Sequence, residues 1–329
     1  MSNLTGTCFL VTGGAGFVGS TIVDQLRAAG ASEVRVIDNF VRGNWNNLAA
    51  ARELGGVNII DGDIRNGSLV NRATEGVDYV FHQAALRITR CAEAPREAVE
   101  VLIGGTMNVL EAALKHKVKK VIAASSASVY GEPSYLPIDE SHTFNNRTMY
   151  GAAKIANEQM LRALHETSGL DYIAFRPFNI YGPRMDVTGV YTEVLIRWLE
   201  AIEANKRPLI FGDGAQSMDF VYVEDVARAN ILAAKSDITD EVFNVGTGVQ
   251  VNLNELCQLV LSMTGSSLQP EYREARTVAN VQRRRAAIEK ADKMLGFRAT
   301  VPLEQGMREL IRWRQASKAL ASTAVVEAS

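Results

Sequence analysis

The turn Thr12-Gly-Gly-Ala-Gly-Phe-Val-Gly19 constrains the fold more than any other segment. It follows the apolar run Cys8–Thr12 and opens a helix-length stretch near Val18–Ala29, giving strand, glycine turn and helix in order. The glycines permit a tight turn and close packing of helix on strand. Short β-branched runs then alternate with amphipathic stretches. Cys8–Thr12, Val34–Asp38, Val57–Ile60, Tyr79–His82, Val118–Ala124 and Tyr172–Arg176 read as buried strands. Helices are expected near Val18–Ala29, Ser68–Thr74, Arg96–His116 and Tyr150–Thr167. This alternation predicts an α/β chain with a Rossmann-type doubly wound parallel sheet.

After Pro177 the pattern changes. Helices near Val190–Ala204, Val223–Ala234, Leu253–Thr264 and Leu303–Gln315 are separated by short extended pieces, Leu209–Phe211 and Val242–Val245. They read as a smaller C-terminal α/β lobe. The expected division is a sheet domain over 1–177, to which later segments return, a second lobe mainly over 178–315, and a flexible tail over 316–329.

Composition narrows the possibilities further. Hydrophobic residues make up 47% of 329 positions, ample for a core, and the net charge of −2 shows no bias toward nucleic acid. Arg283-Arg284-Arg285 is a basic cluster that reads equally as a solvated turn or an anion site. Cys8, Cys91 and Cys257 are scattered without metal-ligand spacing, as are four histidines, so no metal centre is expected. Residues Met1–Cys8 lack a basic leader and no apolar run approaches the ~20 residues of a membrane span. A cytoplasmic protein without a membrane partner is expected.

In the context of strand and helix, Gly13, Gly16 and Gly19 let the backbone approach a pyrophosphate whose charge sits at the helix N-terminus. Asp38 closes the second strand 19 residues after Gly19. A carboxylate there would accept from ribose hydroxyls and repel a 2′-phosphate, which favours NAD over NADP. Asp63, in Gly62-Asp63-Ile64, could accept from the adenine amino group. His82-Gln83-Ala84-Ala85 ends the fourth strand, where small residues would let the backbone lie beside a cofactor, and His82 reads as structural.

Tyr150 and Lys154 stand four positions apart and share a helix face. A free tyrosine has a pKa of about 10, and a neighbouring ammonium is expected to lower it enough for acid–base work. With the glycine turn and Ser125-Ser126 upstream, this pair reads as a hydride-transfer site.

These residues in this order resemble the extended short-chain dehydrogenase/reductase family, in its branch of NAD-dependent nucleotide-sugar epimerases and dehydratases. The resemblance runs from about Thr7 to Trp313 and includes Ser125–Gly131, Arg176–Arg184, Gly212–Gly214, Asp219–Asp225 and Leu295–Phe297. It implies Ser126, Tyr150 and Lys154 as the catalytic trio. It also implies NAD held by Gly13, Gly16, Phe17, Val18, Gly19, Asp38, Asn39, Asp63, Ile64, Gln83, Ala84, Ala85, Tyr150, Lys154 and Pro177. The substrate contacts it implies are Ser126, Tyr150, Asn179, Arg276 and Arg284.

Family dehydratases carry an Asp-Glu pair directly after the catalytic hydroxyl residue. Ala127 and Ser128 stand there, which points instead to 4-epimerisation of a nucleotide-diphosphate sugar, UDP-linked by the branch resemblance. A dehydrogenase, reductase or dehydratase of the same family is the alternative. A non-catalytic NAD-sensing protein would be expected to lack Tyr150 or Lys154. Met218, Leu102 and Ala287 depart from residues frequent in relatives, an arginine, an asparagine and an aspartate respectively. Relatives also pair two helices into a four-helix bundle, which implies a homodimer.

Overall fold

The computed structural model describes residues 4–187, 194–275 and 281–327, with side chains as far as Ala319. Seven parallel strands form the central sheet: β1 Cys8–Thr12, β2 Glu33–Asp38, β3 Val57–Asp61, β4 Tyr79–His82, β5 Lys120–Ala124, β6 Tyr172–Pro177 and β7 Glu241–Val245. Their order is β7-β6-β5-β4-β1-β2-β3. The chain therefore starts in the middle and winds outward in both directions. Thr12 pairs with Ile37 on one side and His82 on the other, so the connections leaving β1 and β4 diverge at that edge. A crevice opens where the winding reverses, the usual ligand position in such sheets.

Helices cover both faces because each strand alternates apolar side chains above and below. The helices Phe17–Ala28 and Val223–Lys235 pack together on one face, over Phe9, Val11, Phe81 and Phe175. Thr106–Lys115 and Met149–Ser168 cover Leu10, Val80, Val121 and Ala174 on the other. A third core, with Leu195, Trp198, Leu256, Val260 and Leu310, builds the smaller lobe. Trp198 Nε1 donates to Leu209 O at 2.7 Å, anchoring the helix Val194–Glu203 to the strand Leu209–Phe211.

The structure departs from the sequence expectations in several places. Val242–Val245 lies within β7 and pairs with β6, so the chain returns to the central sheet here. The expected helix Arg96–His116 is interrupted. Pro95–Val99 and Thr106–Lys115 are joined by a π-type turn over Glu100–Gly105. A Cβ on Gly105 would lie 2.7 Å from Ile64, so a residue without a side chain is needed at this close approach. The last helix runs Leu303–Glu327 through much of the expected flexible tail. Alanines at 316, 319, 321 and 324 favour helix there, and Lys318 joins Arg314 on Glu203. The expected start of the Val190–Ala204 helix lies outside the described residues.

Candidate functional site

One cleft of about 840 Å³ crosses the carboxyl ends of the strands. Every described residue that the sequence assigns to cofactor or substrate lines it, from Gly13 and Asp38 through Gln83 and Ser126 to Tyr150, Pro177, Asn179 and Arg284. Arg276 lies outside the described residues.

At the cofactor end, the first helix starts at Phe17 with no side-chain cap at Gly16, leaving its N–H groups to a ligand. A Cβ on Gly19 would sit 2.2 Å from Gly13 O, so nothing larger than glycine fits this turn. Asp38 is buried at the end of β2. Its carboxylate accepts from Ala15 N and Phe40 N, each at 2.9 Å, bracing the glycine turn after β1 against the loop after β2. Burial pushes its pKa up and these two N–H groups oppose the rise. Spare lone pairs remain for ribose hydroxyls. Asp63 accepts from Asn39 Nδ2 at 3.0 Å and pairs with Arg65 at 2.8 Å. The Arg65 guanidinium is the main influence holding Asp63 down at about 2. These features fit a dinucleotide: a side-chain-free turn, an uncapped helix start and two carboxylates on successive strand ends.

His82 is structural. Its ring nitrogens lie 2.7 Å from Thr12 Oγ1 and 2.9 Å from Thr106 Oγ1. Burial, helped by Lys154, pushes its pKa down to about 3, so the imidazole is neutral.

The reactive end is built on the helix Met149–Ser168. Thr148 caps it, its Oγ1 accepting from Gly151 N at 3.0 Å, and Gly169 closes it in the left-handed conformation. Tyr150 therefore sits in the first turn, where the helix dipole favours negative charge. Ser126 caps the short turn Ala127–Val129 after β5. Its Oγ accepts from Ser128 N at 3.1 Å and donates to Ser128 Oγ at 3.0 Å. Ser126 stands close enough to Tyr150 to pull its pKa down. Lys154 is buried, with Nζ 5.7 Å from the Tyr150 ring centroid and donating to Ala124 O at 2.6 Å.

The electrostatics correct one expectation. Lys154 does not hold Tyr150 low in the protein alone. Burial pushes the Tyr150 pKa up to about 12, outweighing the lowering influence of Ser126. Burial likewise brings Lys154 down to about 8. The lysine is committed to a backbone carbonyl, and the desolvation of both groups exceeds what its charge supplies at this distance.

Sequence reading missed the supports. Glu158 continues the Tyr150–Lys154 face by another four residues and forms a buried pair with Arg176, 2.6 Å at Nη2 and 2.9 Å at Nε. Ser125 also donates to Glu158, next to Ser126. Arg176 reaches Tyr130 Oη at 2.9 Å, and Tyr130 donates to Asn244 at 2.6 Å. The i, i+4, i+8 spacing was the available signal. Asp186 pairs with Arg42 Nε at 3.0 Å and with Arg87, bridging the loop after β2 to the segment after Asn179. No local pattern announces that contact. Met218 lines the cleft, Leu102 is buried in the apolar core, and Ala287 N donates to Ile138 O at 2.8 Å. Of the helix positions behind the expected dimer, Ala98, Leu102, Val109, Leu110, Ala113 and Ala153 are buried, Ile103, Leu114, Tyr150, Ala156 and Met160 are half-buried, and Val99 is exposed.

A doubly wound sheet with a glycine turn at its switch point and a Tyr-Lys-Ser cluster across the cleft defines a dinucleotide-dependent enzyme. The chain belongs to the NAD dependent epimerase/dehydratase family, whose model matches residues 9–246. It is an enzyme of that family, and NAD is its cofactor. The UDP-glucose 4-epimerase of Mycolicibacterium smegmatis is 34% identical over 307 residues, 92% of this chain and 97% of the relative. A UDP-N-acetyl-alpha-D-glucosaminuronate decarboxylase of Bacillus cytotoxicus is 33% identical over 316 residues, 92% and 96% of the two chains. The solved UDP-N-acetylglucosamine 4-epimerase of Methanobrevibacter ruminantium M1 superposes with a TM-score of 0.90 at 34% identity, covering 95% of this chain and 99% of that one. Among the described residues no helix is long and apolar enough to cross a membrane, and no cluster of His, Cys, Asp or Glu could hold a metal ion.

Proposed function

We propose that the enzyme inverts C4 of a UDP-linked sugar through a transient 4-keto form and keeps NAD bound throughout. The observation that carries this reading is the end of the cleft lined by Tyr150 and Lys154, where Ser126 is followed by Ala127 and Ser128. Decarboxylase and epimerase relatives alike leave the reaction open. Loss of water would need a further acid and base at Ala127 and Ser128, and neither can exchange a proton usefully.

Tyr150 takes the proton from the sugar hydroxyl, and Ser126, oriented by Ser128, hydrogen-bonds the oxygen as it becomes a ketone. NAD held in the cleft would supply a reversible hydride acceptor at that carbon, and the keto sugar must turn over so that its opposite face receives the hydride. Tyr150 then gives its proton back to the oxygen on the inverted centre. Gly13, Gly16 and Gly19 would hold the pyrophosphate, Asp38 the adenosine ribose, and Lys154 the nicotinamide ribose. Asn179 and Arg276 would hold the substrate diphosphate. Asp38, braced by two backbone N–H groups, supports NAD rather than NADP, because a 2′-phosphate would meet its charge.

Purified enzyme incubated with UDP-glucose, UDP-galactose and their N-acetyl forms, without added cofactor, tests this reading. C4 epimers resolved by chromatography are the expected result. Stoichiometric NADH release with a stable keto product overturns it in favour of a dehydrogenase.

We also propose a homodimer through the helices 95–115 and 149–168, supported by the exposed Val99 and the half-buried Ile103, Leu114, Ala156 and Met160. Light scattering should give twice the 35.9 kDa chain mass, and a single chain mass at micromolar concentration refutes the dimer.

A further inference from the structure

Two ion-pair clusters hold the segment 182–187 at the cleft, which Arg184, Met185 and Asp186 line. Asp186 pairs with Arg42 at 3.0 Å and with Arg87. Arg42 lies in the loop after β2, and Arg87 in the segment after β4. In the strand order β4-β1-β2 these two connections flank the glycine turn that leaves β1. One carboxylate therefore ties both banks of the switch-point crevice, across the turn that fits a pyrophosphate.

The second anchor lies two residues earlier. Arg184 Nη1 pairs with Asp24 at 2.6 Å and donates to Ser20 Oγ at 3.2 Å, fixing the segment to the first helix. Arg184 has a φ of 71°, a left-handed conformation that is costly for a residue with a side chain. The two anchors hold the chain in that conformation. Asp186 and Arg87 are 14% and 17% exposed, drier than an ordinary surface pair, while Arg42 stays open to water at 42%.

We propose that segment 182–187 is a strap that gates NAD, with Asp186 the residue that keeps it shut. This rests on the reading above that NAD stays bound through the reaction. A reaction that returns its hydride needs no cofactor exchange between turnovers, whereas net oxidation needs one each time. The ion pairs join protein to protein, so they raise the barrier to passage rather than the affinity. Entry and exit are slowed together.

The test chases bound NAD with isotopically labelled NAD, read by mass spectrometry, and titrates its Kd by calorimetry. It compares the wild type, Asp186→Asn and Arg42→Gln. Asp186→Asn should release NAD roughly 5–20-fold faster, with Kd changed less than about threefold. Arg42→Gln should act in the same direction, and the double variant should add little to Asp186→Asn, since both break one cluster. Salt should speed release from the wild type more than from Asp186→Asn, because a pair open to water is screened. Release rates equal to wild type in both variants overturn the proposal. So does slower release from Asp186→Asn, which would make the carboxylate only a charge that repels the pyrophosphate. A Kd weakened as much as release is quickened would place Asp186 in binding rather than gating, and also refutes it. Asp186-dependent release in an enzyme that does not epimerise would sink the epimerase reading and leave the strap standing. Epimerisation with release indifferent to Asp186 would do the reverse.

Discussion

Replacing Glu158 by glutamine tests whether the site rests on a buried ion pair. Glu158 and Arg176 side chains are 3% and 5% exposed, and two hydrogen bonds join them. Removing one charge strands the other, because Arg176 is left with neutral acceptors, Tyr130 Oη, Glu140 O and the glutamine carbonyl. Breaking a buried pair costs about 3–5 kcal/mol. Unfolding entropy of about 2.1 cal/mol/K per residue makes 1 kcal/mol worth roughly 1.5 °C in a chain of this length. Glu158→Gln should therefore lower Tm by roughly 4–8 °C in calorimetry. The apolar double replacement Glu158→Leu with Arg176→Met should recover most of that loss, since neither charge is then buried. A Glu158→Gln Tm within about 1 °C of wild type, or a double variant worse than the single one, would refute the reasoning.

Other consequences follow from the pKa directions. Tyr150→Phe should lower kcat by roughly 10²–10⁴-fold while NAD still binds; near wild-type turnover would remove Tyr150 as the base. Burial pushes the Tyr150 pKa up to about 12, and the positive nicotinamide should lower this. Ultraviolet difference titration of stripped and NAD-loaded enzyme, each against Tyr150→Phe, checks the shift, and an equal midpoint contradicts it. Lys154 is brought down to about 8 by burial, so its burial cost is full below that value and is released as pH rises through the unfolded value. Lys154→Met should thus abolish turnover yet leave Tm at pH 7 unchanged or higher; a drop of several degrees would show that the ammonium stabilises the fold.

Local pattern carried the scaffold. The β-branched runs from Cys8 to Arg176 became β1 to β6 because each is short, apolar and bounded by turn residues. Gly13–Gly19 and Tyr150/Lys154 came together because strand order alone brings the ends of β1, β4 and β5 to one cleft. What sequence hid depends on distant pairing or on burial. Val242–Val245 has the composition of a strand in either lobe, and only pairing with β6 assigns it. Arg42 and Asp186 meet from positions 144 residues apart. The Tyr150 pKa depends on desolvation, which residue spacing does not report. In the tail, small size suggested fraying, while the helix propensity of alanine and the Glu203 anchor favour helix.

The central claim is that one carbon loses and regains the same hydride while Tyr150 handles only the hydroxyl proton. UDP-glucose carrying deuterium at C4, turned over in ordinary water without added cofactor, tests it directly. The account predicts UDP-galactose with the deuterium retained at C4. Washout of the label into solvent would contradict it, because C4 would then exchange a proton with water.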